Sequence, residues 1–277
     1  MKHANLHLHS TFSDGLLTPR QLVVIGKSLG YKALALTDHE TDGGVRQFMA
    51  AAEKETGIDT ISGIEFYGMY EGCNLHLTAL DFDMDDPGIR AFVKERCELH
   101  YEATKKKVAL AIERGYIDGV SWEDIEKYND DGSWYCIGSV VRAYNTLRIP
   151  IPDDMPHKVF KSPEAKAFSP KTPTAEKVIK TVRGAGGIIA LAHPVNRTHF
   201  AEGLVKMGLN GIEVSHPDMD EQTVALALEA AREFNLYHCG GTDHTGVMSG
   251  LGGRHARPAF HGLTEEEYYC IKERKRG

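Results

Sequence analysis

Histidine and carboxylate side chains recur in this sequence where short apolar segments end. Imidazole and carboxylate ligands together are typical of sites for zinc, manganese or iron. A carboxylate such as that of Glu65 can also bridge two cations, and paired cations can activate water for phosphoryl transfer. The residues concerned are His7, His9, Asp14, Asp38, His39, Glu65, His76, His193, His216, Asp243 and His244. Their types and spacing predict a centre for divalent transition metals (Mn, Zn or Fe).

The segments that must position these side chains alternate between short apolar runs and helical patterns. Helices are predicted over residues 18–29, 44–55, 174–183 and 220–234, and strands over residues 4–9, 33–37, 60–70, 75–82, 188–192, 211–214 and 236–241. This alternation predicts right-handed βαβ units and an α/β fold with a parallel sheet. An open doubly wound sheet would also fit, but a closed barrel is favoured because its strands present their carboxyl ends on one face.

The alternation is interrupted in the middle of the chain. Helical patterns and a stretch rich in Pro and Lys, predicted to be irregular, cover residues 87–116, 122–128, 138–147 and 150–173. We therefore expect a barrel in two parts, residues 1–85 and 174–277. Between them, residues 86–173 would form a helical insertion that acts as a substrate lid.

Composition limits the classes of partner. A formal net charge of -7 over 277 residues argues against a protein that relies on contacts with nucleic-acid phosphates. It does not argue against a small phosphorylated substrate, because bound cations can supply positive charge. The five cysteines show no CxxC spacing, which indicates a reducing compartment. With no signal-peptide pattern and no apolar run of membrane-spanning length, we expect a cytoplasmic protein without a membrane partner.

The motifs around the predicted ligands resemble those of the polymerase-and-histidinol-phosphatase (PHP) family of the amidohydrolase superfamily. The matching pieces occur in the family's order: His7-Leu8-His9 with Ser13-Asp14-Gly15, Thr37-Asp38-His39, Gly63-Ile64-Glu65, His76, Ala192-His193-Pro194 and Gly241-Thr242-Asp243. The resemblance implies a distorted seven-stranded (β/α)7 barrel and a metal-dependent phosphoesterase with two or three cations.

The resemblance also divides the ligands among three sites. It assigns the first metal to His7, His9, Glu65 and Asp243, the second to Glu65, His76 and His193, and the third to Asp14, His39 and a histidine two residues after Asp243. Thr245 occupies that last position, so we expect two firm sites and a weak or empty third. His244 could replace the histidine only through a shifted loop, because neighbours on a strand point to opposite faces.

A second departure from the family pattern concerns the substrate. Relatives that dephosphorylate nucleotides often carry Gly-Arg-Pro-His where this chain has Gly138-Ser139-Val140-Val141, which makes Arg142 a candidate replacement for the arginine. Arg197 is a second candidate, because a guanidinium group suits bidentate contacts with phosphate. Its alternative is a solvated arginine in a loop.

The expected reaction is hydrolysis of a small phosphorylated metabolite, a nucleotide or sugar phosphate, by a metal-bridging hydroxide. His39 or His216 would protonate the leaving group, and Asp243 is counted with them as a catalytic residue. For His216, a histidine in a surface loop is an equal alternative. Three other functions stay open: a cyclic phosphodiesterase, an exonuclease, and a metal-binding regulatory module without turnover.

Overall fold

The strands form two sheets. The computed structural model describes residues 2–55, 57–155, 157–245 and 261–274. A parallel three-stranded sheet contains β1 (Ala4–Asn5), β2 (Ala33–Ala35) and β3 (Asp59–Ile61). A five-stranded sheet contains, in spatial order, β4 (Gly63–Tyr70), β5 (Cys73–Leu80), β6 (Ile188–Leu191), β7 (Gly211–Ser215) and β8 (Tyr237–Gly240). The predicted α/β class is confirmed, although the described residues form two sheets and not one continuous barrel.

Backbone hydrogen bonds join segments that follow β1 and β2 to strands and loops of the five-stranded sheet. On one side, the amide of Leu6 donates to the carbonyl of Gly240 at 3.1 Å, and the amide of Asp243 donates to the carbonyl of His7 at 2.9 Å. On the other side, the amide of Glu65 donates to the carbonyl of Asp38 at 3.2 Å. The segments that carry the predicted ligands are therefore neighbours across both junctions.

The expectation of a parallel sheet is wrong for β4, β5 and β6. β4 and β5 form an antiparallel hairpin, and β5 also pairs antiparallel with β6. The hairpin turn consists of Glu71 and Gly72, with φ angles of 46° and 76°. A two-residue turn with both φ angles positive is of type I′, whose twist matches that of the flanking strands.

The single strand expected over residues 60–70 is divided at Ser62. The hydroxyl of Ser62 donates to the carbonyl of Phe82 at 2.7 Å and accepts the amide of Phe82 at 2.9 Å. These bonds replace ladder contacts, so β3 pairs in one sheet and β4 in the other.

The helices lie mainly where the sequence predicts them. They are α1 (Pro19–Ser28), α2 (Val45–Lys54), α3 (Pro87–Glu113), α4 (Trp122–Lys127), α5 (Ile137–Leu147), α6 (Pro163–Ala167), α7 (Ala175–Gly184), α8 (Ala201–Lys206), α9 (Glu221–Glu233) and α10 (Glu265–Lys272), with a π-helix at His157–Lys161 and a 3-10 helix at Thr198–Phe200. Thr18 caps α1 as expected, since its hydroxyl accepts the amide of Gln21 at 3.3 Å. Helices α6, α8 and α10 were not predicted from the sequence, and the π-helix and α6 replace part of the stretch predicted to be irregular.

Two clusters of buried apolar side chains hold most of the helices in place. The larger cluster lies against the five-stranded sheet and includes Phe66, Leu77 and Ile212. A separate cluster between residues 108 and 159, around Tyr144, packs helices that lie between β5 and β6 in the chain. We call residues 87–167 the helical segment. No helix of the described residues is long and apolar enough to cross a bilayer.

Gly241 provides a test of the junction between the sheets. A Cβ atom at Gly241 would lie 2.4 Å from the backbone nitrogen of His7. We expect Gly241→Ala to displace the segment after β1 and to lower the free energy of unfolding by about 1–3 kcal/mol, the usual cost of overpacking. Thermal unfolding with and without added Mn²⁺ measures it. The control is Gly184→Ala, where a Cβ meets no atom within 4 Å. Equal melting temperatures for the two variants would contradict the tight junction.

Candidate metal centre

Glu65 lies at the centre of the predicted ligands, on β4 and only 1% exposed. Its Oε2 atom is 3.3 Å from Nε2 of His7 and 3.3 Å from Nε2 of His9. The same oxygen is 3.2 Å from Nδ1 of His39. One carboxylate oxygen therefore faces three imidazoles.

The second oxygen of Glu65 faces two more imidazoles. Oε1 is 2.9 Å from Nδ1 of His76, on the neighbouring strand β5. It is 3.1 Å from Nε2 of His193, which follows β6. The hairpin explains the first contact, because Tyr67 pairs with His76 and Glu65 lies two residues from Tyr67 on the same face.

Asp14 and Asp243 complete the cluster from two loops. Oδ1 of Asp243 is 3.0 Å from Nε2 of His9, and Oδ2 of Asp14 is 3.8 Å from Nε2 of His39. Within the described residues, ligand atoms lie within 4.8 Å of one another in the groups His7–His9–Glu65–Asp243, His7–Glu213–His216, His9–Asp14–His39, His39–Glu65–His76 and His193–His216–Asp243. All eight predicted metal ligands thus belong to at least one group.

The charges of the cluster favour bound cations. Burial alone would raise the pKa of Glu65, but His7, His76 and His39 hold it well below its ordinary value. Burial would likewise lower the pKa of His7, but Glu213, Glu65 and Asp243 raise it well above its ordinary value. The Glu65 carboxylate is therefore ionised and needs positive charge nearby, which divalent cations can supply.

His39 fits a metal ligand better than a proton donor. Burial lowers the pKa of His39 to about 4, so the ring is neutral at neutral pH. Its Nδ1 atom is buried and makes no hydrogen bond to the described residues. A buried ring nitrogen without a hydrogen bond is a group that a bound cation would satisfy.

Glu213 is a residue of the site that the sequence analysis missed. Its side chain on β7 is fully buried, and Oε1 accepts a hydrogen bond from Nδ1 of His7 at 2.6 Å. Oε2 accepts the backbone amide of His193 at 2.6 Å. The first bond fixes the proton of His7 on Nδ1, so Nε2 presents its lone pair to the cluster. A charged residue inside an otherwise apolar strand was the signal available in the sequence.

Asp38 orders the loop that carries Asp14. Its carboxylate is fully buried and accepts the amide of Ser10 at 2.7 Å and the hydroxyl of Ser10 at 2.6 Å. It also accepts the hydroxyl of Ser13. Asp38 therefore acts through the loop and is in none of the ligand groups.

His216 is buried beside Asp243. Its Nδ1 atom accepts the backbone amide of Asp218 at 3.1 Å, which assigns the proton of the neutral ring to Nε2. Nε2 is 3.2 Å from Oδ2 of Asp243. A protonated Nε2 suits a hydrogen-bond donor rather than a metal ligand.

The two predicted substrate arginines lie in different surroundings. The guanidinium of Arg142 donates to Asn129 and to the carbonyls of Ser13 and Gly15, at 3.5 and 3.3 Å for the two carbonyls. It therefore supports the loop that carries Asp14. Arg197 precedes the 3-10 helix, and in the described part of the chain no hydrogen bond or ion pair engages its side chain.

His244 and Thr245 follow Asp243, where the family resemblance places the histidine of the third site. His244 is buried and forms an isolated bridge with Leu8, and it is in none of the ligand groups found among the described residues. The carbonyl of Thr245 accepts the amide of Leu16 at 3.1 Å. His9 instead stands beside Asp14 and His39.

Comparison with known proteins identifies the family. The PHP domain family matches residues 5–148. A 5'-3' exoribonuclease of Haemophilus influenzae is 31% identical over 258 residues, which cover 87% of this chain and 89% of the relative. A 3',5'-nucleoside bisphosphate phosphatase of Chromobacterium violaceum is 27% identical over 272 residues, covering 92% of this chain and 90% of the relative.

A solved structure shows the same fold. A protein of Bifidobacterium adolescentis, described as a metal-dependent phosphoesterase, superposes with a TM-score of 0.72 at 21% identity, covering 100% of this chain and 97% of the other. The chain belongs to the PHP domain family. The predicted family is confirmed, and with it the predicted class of enzyme, a metal-dependent phosphoric ester hydrolase.

Glu213 provides a test of how the cluster is held. We expect Glu213→Gln to weaken metal binding about 10- to 100-fold, because loss of a carboxylate partner frees the tautomer and orientation of the ligating histidine. Competition with a chromogenic chelator measures the affinity. The matched control is Glu267→Gln, which removes a carboxylate 2.8 Å from Nδ1 of His238, outside the ligand groups. Equal metal affinity in the two variants would exclude this role of Glu213.

Proposed function

We propose that the chain hydrolyses a phosphate ester of a nucleotide with two divalent transition metals bridged by Glu65. The proposal rests on the observation that the two carboxylate oxygens of Glu65 face different imidazoles. Oε2 faces His7 and His9, and Oε1 faces His76 and His193. A buried carboxylate with different imidazoles on each oxygen is the arrangement that a bridging ligand requires.

The ligand division implied by the family resemblance fits these contacts. The first cation would be held by His7, His9, Glu65 and Asp243, the second by Glu65, His76 and His193, and a weaker third by Asp14 and His39. When bound, such cations lower the pKa of water and take up charge on phosphoryl oxygens. We infer that the two sheets belong to one distorted seven-stranded barrel whose strand ends supply these ligands.

The protein's own groups complete the site. His216 would donate its Nε2 proton to the leaving oxygen, since that proton lies at the edge of the cluster beside Asp243. Arg197 would bind the phosphoryl group, because its guanidinium has no acidic partner in the described part of the chain. Arg142 would position the loop of Asp14 through its two carbonyl contacts.

The helical segment closes one side of the centre. The ring centre of Trp134 lies 5.0 Å from that of His39. The backbone amide of Trp134 donates to the carbonyl of Phe12 at 2.8 Å. We infer that the segment acts as the substrate lid expected for residues 86–173. The division into 1–85, 86–173 and 174–277 and the cytoplasmic location stay predictions.

An exonuclease is the second candidate function. The relative from Haemophilus influenzae is named a 5'-3' exoribonuclease, and it matches 87% of this chain. The net charge of -7 argues for the smaller substrate. Assays with a nucleoside monophosphate, a bisphosphate and a short 5'-phosphorylated oligoribonucleotide distinguish the two functions.

Glu65→Gln tests the bridge. We expect it to reduce hydrolysis by at least about 100-fold without unfolding the protein, because a neutral amide compensates neither cation. Turnover of an aryl phosphate with added Mn²⁺ and circular dichroism on the same preparation measure the two effects. Glu229→Gln, on the exposed surface of α9, is the control. Turnover close to that of the parent in Glu65→Gln would remove Glu65 from the bridge.

A further inference from the structure

Glu40 connects two segments that carry metal ligands. It directly follows His39, and its side chain is fully buried. The backbone amide of Glu40 donates to the carbonyl of Glu65 at 2.9 Å, and its Oε1 atom accepts the backbone amide of Tyr67 at 2.7 Å. Both bonds go to β4, the strand of Glu65. Glu40 therefore fixes the segment of His39 against the strand whose carboxylate lies 3.2 Å from Nδ1 of His39.

The backbone conformation of Glu40 needs contacts that hold it. Its φ angle is 56°, in the left-handed region that residues with a side chain rarely adopt. Such a conformation persists only where the surrounding structure imposes it. Besides the bonds to β4, the thiol of Cys97 on α3 donates to the carbonyl of Glu40 at 3.7 Å. Helix α3 thus takes part in holding the residue after His39.

Arg96 of α3 supplies the charge that the buried carboxylate of Glu40 requires. The guanidinium is 4% exposed, and its Nε atom donates to Oε2 of Glu40. Its Nη1 atom donates to the carbonyl of Lys171 at 3.2 Å, and its Nη2 atom donates to Nε2 of His100 at 3.0 Å. All three nitrogens of the guanidinium have a partner, so its position is fixed.

Ring contacts give α3 a second connection to the same ligand. The ring centre of His100 lies 5.3 Å from that of Trp134, which lies 5.0 Å from that of His39. His100 is itself a partner of Arg96. The helix therefore reaches His39 by two routes, one through a carboxylate and one through aromatic rings.

We propose that Arg96 is a positioning residue of the metal centre, which acts through Glu40 on His39 and Glu65. A buried carboxylate without opposite charge is costly, and Arg96 compensates the charge of Glu40. The other oxygen of Glu40 then stays on the amide of Tyr67, and the two ligands keep a fixed separation. The inference rests on the proposed metal centre, but on no particular substrate.

The test removes the guanidinium and measures metal binding. We expect Arg96→Met to weaken Mn²⁺ binding about 10- to 100-fold, the usual effect of losing a group that orients ligands. Competition with a chelator measures the affinity, and the visible absorption spectrum of the Co²⁺-loaded protein, which reports coordination geometry, should change. Arg96→Lys should restore part of the affinity, because it returns the charge without the planar contacts. The control is Arg90→Met, an exposed arginine of α3 that lies 3.9 Å from Asp85.

Val140→Ala separates positioning from stability. Val140 is fully buried in the apolar cluster around Tyr144, so its truncation lowers the melting temperature without removing the Arg96–Glu40 ion pair. We expect this variant to keep the metal affinity and the Co²⁺ spectrum of the parent protein. Equal weakening of metal binding in Val140→Ala and Arg96→Met would overturn the positioning role, and so would parent-like binding in Arg96→Met.

A double variant keeps the test decisive if Arg96→Met does not fold. Glu40→Gln combined with Arg96→Met leaves no unpaired buried charge, so we expect it to fold. It should still bind metal more weakly than the parent, because no guanidinium fixes the amide at position 40. A folded double variant with the parent's affinity and Co²⁺ spectrum would overturn the inference. A parent protein that binds no metal would reject the proposed centre, and the inference with it.

Discussion

The buried carboxylate of Glu65 needs compensating charge, and this requirement determines how the segments that carry the ligands meet. Removing an ionised carboxylate from water costs several kcal/mol unless opposite charge and hydrogen bonds replace the solvent. Glu65 is 1% exposed and lies within 3.3 Å of five imidazoles. These imidazoles come from four different segments of the chain, since His7 and His9 are two residues apart, so no local segment can form the site alone. The centre exists only when both sheets and both of their junctions are in place.

The fold supplies this convergence through a few close backbone approaches. Gly63 lies on β4, two residues before Glu65, and a Cβ atom there would lie 2.5 Å from the carbonyl oxygen of Leu36. Gly241 does the same at the other junction, beside His7. Both positions need glycine because a side chain would separate the segments that carry the ligands. Glu213 and Asp38 then fix the orientation of the side chains and loops that have been brought together.

The sequence predicted the site best where a ligand lies in or directly after a segment that is itself recognisable as a strand. His7, His9, His39 and Glu65 follow or belong to short apolar runs, and their grouping could be predicted from strand ends alone. The antiparallel pairing of β4, β5 and β6 was not predicted, because alternation of strands and helices implies parallel neighbours. A two-residue turn joins β4 to β5, whereas the helical segment lies between β5 and β6 in the chain. Short helices such as α8, with six residues, give too little periodicity to detect.

Glu213 shows why supporting residues are harder to predict than ligands. Its partner His7 lies 206 residues away in sequence, and its second partner is a backbone amide. Neither contact has a local motif, so the role appears only when β7 is placed beside the other strands.

Metal stoichiometry tests the central claim most directly. Elemental analysis of protein purified without chelator and passed through gel filtration should give about two tightly held transition-metal ions per chain, since each carboxylate oxygen of Glu65 faces its own set of imidazoles. The Thr245 position predicts at most partial occupancy of a third site. Less than about one ion per chain in such a sample would contradict a metal centre built around Glu65.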